Sequence, residues 1–145
     1  MNIEVPLFVY GTLKKGGKWH HLIANEVFLD QDAVHGEMYL EKGRFYPILY
    51  TGNDIIKGET YIVRESVYQR VLILESDADY DIKTARAISG REVRVFFFKD
   101  ESQKDPEKRI VEFHAEEYFK RWLDVTPRNS ESYLFWLEWG GTKSE

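Results

Sequence analysis

The sequence predicts an α+β fold in which a mixed and barrel-like β-sheet accompanies one central helix and a helical C-terminal extension. Up to about residue 113, short segments rich in β-branched and aromatic residues alternate with glycine, proline and polar residues. Apolar residues recur at helical spacing within residues 66–75 and again beyond residue 114. We therefore expect one domain at residues 1–113, with residues 114–145 forming an extension that packs on the same domain.

The composition is that of an ordinary globular protein, because 43% of the 145 residues are hydrophobic and 31% are charged. A formal net charge of −5 disfavours non-specific binding to nucleic acid or to acidic membrane surfaces. The chain has no cysteine, which excludes disulfides, thiolate nucleophiles and cysteine-bound metals. No stretch has the length of a membrane span, and the N-terminus lacks a signal-peptide pattern. We expect a soluble, cytoplasmic protein.

The first half of the chain predicts strands. Residues 7–10 form a short apolar run that favours a strand, and residues 18–24 favour a short helix. An extended segment follows at residues 26–40, where Gly36 indicates a bulge or a close approach of two backbones. Further strands are expected at residues 48–50 and 56–63, separated by a turn at residues 51–54.

The central helix is predicted at residues 66–75, where Ser66 and Gln69 have the spacing of a capping box. A polar loop at residues 76–81 should follow, and then strands at residues 83–88 and 91–99 joined by a turn at Ser89-Gly90. Residues 100–109 are charged and indicate a solvated loop, and residues 110–113 favour one more short strand.

The C-terminal residues predict two helices. The first presents an apolar face that includes Trp122 and ends at Thr126-Pro127, and the second is capped by Asn129 or Ser130. The helical spacing of Trp122, Trp136 and Trp139 favours packing residues of the core. The alternative is that this extension forms a lid over a pocket or a dimer surface.

A candidate anion-binding loop follows the first strand. The strand ends at Gly11, a residue that adopts backbone angles closed to others and allows a ligand to approach the main chain. Successive N–H groups without a strand partner form a natural cradle for an anionic oxygen. The ordinary alternative is a tight turn. A phosphate-binding P-loop is rejected, because Gly17 stands where its lysine should be and no serine or threonine follows Lys18.

Glu75 is the candidate for acid–base chemistry. It ends the predicted central helix after Leu72, Ile73 and Leu74, so the negative end of the helix dipole and an apolar environment both disfavour its carboxylate. Both effects raise the pKa towards the range that suits proton transfer at neutral pH. The alternative is a solvated glutamate at a helix end.

Other chemistries find no support in the residue pattern. The histidines at positions 20, 21, 35 and 114 lack the spacing of metal ligands, so no metal site is predicted. No serine lies in a nucleophile-elbow motif.

Five motifs in a fixed order suggest a known family. They are Tyr10-Gly11-Thr12-Leu13-Lys14-x-Gly16, Gly36-x-x-Tyr39, Tyr46-Pro47, Gly58-Glu59-x-Tyr61, and Leu72-x-Leu74-Glu75 with Arg86 further on. Over residues 6–98 the set resembles the γ-glutamylcyclotransferase-like (AIG2-like) family. Ser76, Ile73 and Trp19 depart from it, since the family usually has glycine and aspartate at the first two positions and often asparagine at the third.

The resemblance implies an enzyme that converts the γ-glutamyl group of a small γ-glutamyl amine or amino acid into 5-oxoproline and releases the amine. Glu75 is then catalytic, and the backbone N–H groups of Gly11, Thr12 and Leu13 bind the substrate carboxylate. Tyr10 shapes the floor of the pocket and Tyr46 a wall. The resemblance implies no metal or organic cofactor and a monomer or homodimer. Two alternatives stay open: a non-catalytic small-molecule binding domain, and a γ-glutamyl amide hydrolase or transferase.

Overall fold

The computed structural model describes residues 3–77 and 79–142, in which six strands form one mixed sheet. The strands are β1 (Glu4–Val9), β2 (Val27–Tyr39), β3 (Ile48–Arg64), β4 (Tyr80–Arg86), β5 (Glu92–Phe98) and β6 (Arg109–Ile110). Their order across the sheet is β4-β5-β1-β3-β2-β6. The β1–β5 pair is parallel, and the other pairs are antiparallel. The predicted α+β fold with a mixed sheet is confirmed.

Alternation along β1 separates two hydrophobic clusters. Val5, Leu7 and Val9 belong to one cluster, while Phe8 belongs to the other, because successive side chains of a strand point to opposite faces. The first cluster is covered by the three helices α1 (Glu65–Leu74), α2 (Ala115–Val125) and α3 (Glu131–Glu138). Both faces of β1 are therefore buried, which places its C-terminal end between two packed layers.

The predicted turn at residues 51–54 is wrong. Ile48–Arg64 is one strand of 17 residues, and its register against β2 shifts so that Gly36 pairs with Asp54 while Glu37 pairs with Tyr50. The turn-forming residues 51–53 are thus accommodated as a bulge. The irregularity expected at Gly36 is confirmed, because the register shifts between Gly36 and Glu37 and a Cβ on Gly36 would lie 2.9 Å from the Tyr50 carbonyl oxygen.

The central helix lies where the sequence predicts it, but its capping differs. Helix α1 begins at Glu65 after Arg64, which makes no side-chain cap, so the predicted capping box of Ser66 with Gln69 is wrong. Gln69 instead donates a hydrogen bond of 2.8 Å to Glu65, one turn earlier on the same helix. The C-terminal end is well predicted: Glu75 is the C-cap residue and opens a short turn of 3₁₀ helix at residues 75–77. The predicted loop at 76–81 includes residue 78, outside the described residues.

The two C-terminal helices pack on the sheet and on α1. Ser130 caps α3 by accepting a hydrogen bond from the Tyr133 N–H. Trp122 and Trp136 are buried in the same cluster as the first residues of β1, and Trp139 packs against it from the edge. The boundary at residues 113/114 stays a prediction. In the described part of the chain, none of the helices combines the length and the apolar character needed to span a membrane.

Candidate active site

A cavity of about 290 Å³ lies at the C-terminal end of β1, between the loop that follows this strand and the C-terminal end of α1. All six residues predicted as site residues line it: Tyr10, Gly11, Thr12, Leu13, Tyr46 and Glu75. The sheet presents the loop, the helix presents Glu75, and the segment between β2 and β3 presents Tyr46. The structure therefore brings together residues that are up to 65 positions apart in the sequence.

Two carbonyl groups of the loop after β1 accept backbone hydrogen bonds that fix its conformation. The N–H of Lys14 donates to the Gly11 carbonyl at 3.1 Å, and the N–H of Trp19 donates to the Thr12 carbonyl at 2.9 Å. By contrast, the N–H groups of Gly11, Thr12 and Leu13 donate to no acceptor in residues 3–77 and 79–142. Three consecutive N–H groups at the cavity are thus available to a ligand.

Gly11 is required for a different reason from the one expected. Its φ lies outside the left-handed region, so the expectation that it uses a backbone conformation closed to other residues is wrong. Instead, a Cβ at this position would lie 3.1 Å from Cδ of Pro47, closer than most Cβ contacts in proteins. The Tyr46-Pro47 segment therefore closes on the loop because residue 11 has no side chain.

Long-range hydrogen bonds fix this loop to the rest of the protein. The buried Glu59 carboxylate of β3 accepts a hydrogen bond from the Lys15 N–H at 2.9 Å and one from the Tyr61 hydroxyl at 3.0 Å. The Lys14 ammonium donates to the Phe113 carbonyl at 2.8 Å, and this bond is buried. The loop is therefore pre-organised, and its free N–H groups are held in place before any ligand arrives.

The carboxyl group of Glu75 is the titratable group best suited to proton transfer here. Its side chain is half-buried in the cavity beside Leu74 and Phe96. Burial raises its pKa to about 7, because the charged carboxylate loses hydration that the apolar walls do not replace. Glu75 can therefore both accept and donate a proton near neutral pH.

Two tyrosines lie next to Glu75. The Tyr10 hydroxyl donates a buried hydrogen bond of 2.7 Å to the Phe96 carbonyl, and Tyr10 and Tyr80 interact through their hydroxyl groups. Burial raises the pKa of both phenols, and the negative charge of Glu75 raises them further. Both phenols stay protonated at neutral pH, so Glu75 is the member of this cluster that titrates.

Sequence reasoning missed Tyr80 and Lys18 as residues of the cavity. Tyr80 begins β4 five positions after Glu75, and that short separation is the signal that could have identified it. Lys18 carries no recognisable motif. Arg86, which the family resemblance singled out, is exposed at the far end of β4, where it donates to the Gly90 carbonyl at 2.7 Å, and it does not line the cavity.

The chain is similar to proteins named as gamma-glutamyl cyclotransferases. A protein of Niallia circulans named as the gamma-L-glutamyl-butirosin B gamma-glutamyl cyclotransferase is 35% identical over 69 residues, which are 48% of this chain and 44% of that protein. A Pyrococcus horikoshii protein, named provisionally as a gamma-glutamylcyclotransferase, is 31% identical over 78 residues, covering 53% of this chain and 65% of the relative. The matches thus span less than two thirds of these relatives.

Solved structures show the same fold. The crystal structure of an uncharacterised Pyrococcus horikoshii protein superimposes with a TM-score of 0.61 at 24% identity, over 83% of this chain and 94% of that one. A mouse AIG2-like protein superimposes with a TM-score of 0.57 at 20% identity, over 72% of this chain and 82% of the other. The family model described as gamma-glutamyl cyclotransferase, AIG2-like, matches residues 7–132. This chain belongs to the gamma-glutamyl cyclotransferase, AIG2-like family.

Proposed function

We propose that this protein cyclises the γ-glutamyl group of a small γ-glutamyl amine or amino acid to 5-oxoproline. The observation that carries the proposal is that Glu75 lines one cavity together with the loop whose Gly11, Thr12 and Leu13 N–H groups donate to no acceptor in the described residues. In this reaction the α-amine of the substrate attacks its own side-chain carbonyl. A new C–N bond closes the lactam, and the bond to the leaving nitrogen breaks. Because both partners belong to one molecule, the protein has to fold the substrate and move protons.

The loop after β1 is assigned the anionic part of the substrate. The N–H groups of Gly11, Thr12 and Leu13 bind the α-carboxylate and orient the α-amine towards the side-chain carbonyl. Where one of them reaches the developing oxyanion, it also stabilises the tetrahedral intermediate. The fixed loop suits this role, since donors that are already in place need little reorganisation during the reaction.

Glu75 is assigned the proton transfers. Its carboxylate takes a proton from the α-ammonium group, which frees the amine for attack, and the same carboxyl then delivers a proton to the leaving nitrogen. A second proton from the former α-ammonium group completes the released ammonium, so the protons balance. A pKa of about 7 favours both directions of transfer near neutral pH.

The aromatic residues define the shape of the cavity. Tyr10 forms its floor, where its hydroxyl is already bonded to the Phe96 carbonyl, and Tyr46 forms a wall that is 48% exposed. We add Tyr80 to the site, because it lines the same cavity and the negative charge of Glu75 raises the pKa of its phenol.

The product of the reaction tests the proposal directly. The protein is incubated with a panel of γ-glutamyl amino acids and γ-glutamyl amines, and 5-oxoproline and glutamate are measured by mass spectrometry. Formation of 5-oxoproline is the expected result. Release of free glutamate would identify a hydrolase instead, and binding without any product would identify a binding domain.

Substitution of Glu75 tests the assigned residue. Glu75→Gln keeps the size of the side chain and removes its ability to accept a proton, so we expect kcat to fall by at least about 10²-fold while substrate binding measured by calorimetry is largely kept. The matched control is Glu107→Gln, which removes the same charge from an exposed loop residue outside the cavity. Near-wild-type turnover by Glu75→Gln would show that Glu75 is not the proton-transfer group.

A further inference from the structure

A second cavity adjoins the first on the side away from β1. It has a volume of about 500 Å³ and shares Lys18, Phe45 and Tyr46 with the Glu75 cavity. On its far side it is bounded by residues 41–44 and by Trp122 of α2. Lys18, Phe45 and Tyr46 therefore form the boundary between the two cavities.

The lining of this second cavity is basic. Lys18, Lys42 and Arg44 contribute three cations, and Glu41 is the single carboxylate among the lining residues that the structure describes. The chain as a whole has 25 acidic and 20 basic side chains. The second cavity is thus positively charged although the whole chain is negatively charged. This local positive charge favours an anionic ligand.

Lys18 is held in an unusual position for a lysine. Its Nζ lies 3.8 Å from the centre of the Trp122 ring and 5.5 Å from that of Trp19. It forms no ion pair with a carboxylate within residues 3–77 and 79–142, and burial lowers its pKa to about 8. Its carbonyl accepts a hydrogen bond of 2.8 Å from Trp136 Nε1, which fixes the backbone. A cation–π contact replaces only part of the lost hydration, so the ammonium can still gain from an anion.

We infer that the second cavity receives the departing part of the substrate and selects an anionic one, such as the carboxylate of a γ-glutamyl amino acid, through Lys18. This inference rests on the proposed cyclisation. In the proposed binding mode the γ-glutamyl group lies between the loop and Glu75, and the departing part extends across the shared boundary past Lys18. Lys42 and Arg44 line the second cavity that it then enters.

A pair of substrates that differ only in one charge tests the selection. γ-Glutamyl-alanine carries a carboxylate on its leaving part, and γ-glutamyl-alaninamide carries a neutral amide of nearly the same size. We expect kcat/KM of the wild-type protein to favour the acid by about tenfold. Raising the ionic strength from about 0.05 M to about 0.5 M should reduce this ratio, because salt screens the attraction.

Lys18→Met removes the charge and keeps a long apolar side chain over Trp122, so the ratio of the two kcat/KM values should fall towards one. Lys42→Met, at an exposed position where folding is not at risk, should lower the ratio by a smaller factor. The matched control is Lys15→Met, in the same loop but outside both cavities, which should keep the wild-type ratio.

The outcomes separate the inference from the function on which it rests. If the wild-type protein forms 5-oxoproline from both substrates with equal efficiency, or if Lys18→Met keeps the full preference for the acid, the inference is overturned while the cyclisation stands. If neither substrate nor any other γ-glutamyl conjugate yields 5-oxoproline, the proposed function fails and the inference falls with it.

Discussion

The half-buried carboxyl group of Glu75 suits the proposed chemistry, but its charged form lowers the stability of the folded protein. Its pKa rises from the ordinary value of 4.5 to about 7 on folding, so the folded protein binds a proton that the unfolded chain releases between these values. The free energy of unfolding is therefore unaffected by this charge below pH 4.5 and falls as the pH rises from 4.5 through 7. The destabilisation at alkaline pH then reaches up to about 3 kcal/mol.

This effect predicts that Glu75→Gln, the variant expected to lose activity, is the more stable protein. At pH 8, Glu75→Gln should raise the free energy of unfolding by up to about 3 kcal/mol, because glutamine has no charge to bury. Below pH 4.5 the two proteins should have nearly equal stability. Urea unfolding followed by tryptophan fluorescence at several pH values measures the difference. A gap that does not grow with pH would contradict the assigned pKa.

All six residues that the sequence singled out line one cavity, and their roles in binding and catalysis stay predictions. Glu75 at a helix end and Gly11 after a strand are visible in the linear pattern, since both depend on local structure. That Gly11 is required by the ring of Pro47 is a contact across 36 positions, and no local pattern contains it. Lys18 was missed for the same reason, whereas Tyr80 lies only five positions after Glu75 and could have been identified from that separation.

At the scale of elements, the path of β1 depends on how closely it can approach β3. A Cβ on Gly58 would collide with the Val9 carbonyl and with the ring of Phe8, the residues that lead into the loop of the site. The sequence predicted the strands at this place because runs of apolar, β-branched and aromatic residues are a local signal. It placed a turn at residues 51–54 because the same residue types form turns and bulges, and only pairing with β2 distinguishes the two.

The contact at Gly58 predicts a large effect of one methyl group. Gly58→Ala should lower the free energy of unfolding by about 3 kcal/mol, since the strands would have to move apart. Gly43→Ala is the matched control: its φ of +84° strains any side chain, but no atom lies within 4 Å, so about 1 kcal/mol is expected. Urea unfolding of both variants measures the two effects. Equal losses would show that steric contact at residue 58 is not the determining factor.

At the scale of the whole molecule, the C-terminal helices complete the core. Trp136 is 1% exposed, lies 5.4 Å from the ring of Trp122 and bonds to the Lys18 carbonyl. The same cluster contains Leu7 of β1 and Val71 of α1. The packing that the sequence predicts for Trp122 and Trp136 is thus observed, and through Lys18 it reaches the boundary between the two cavities.

We therefore expect truncation of Trp136 to lower the free energy of unfolding rather than to change the choice of substrate. Trp136→Ala is expected to cost about 3–5 kcal/mol of unfolding free energy, because it leaves a large void and a carbonyl without its donor. Leu134→Ala, on the exposed side of the same helix, should cost less than about 1 kcal/mol. Thermal and urea unfolding followed by circular dichroism compares them. An unchanged stability with an altered substrate range would support a lid instead.

The sequence by itself determined the α+β class and most of the strands and helices, because residue type, alternation and helical spacing are properties of short segments. The five ordered motifs carry the resemblance to the family, and through it the choice of residues to examine first. Only the tertiary structure decided that residues from β1, α1 and the segment before β3 share one cavity, and that a basic second cavity adjoins it. The physical reason is that the pKa of Glu75 and the charge around Lys18 depend on what packs against them, and the packing partners are distant in the chain.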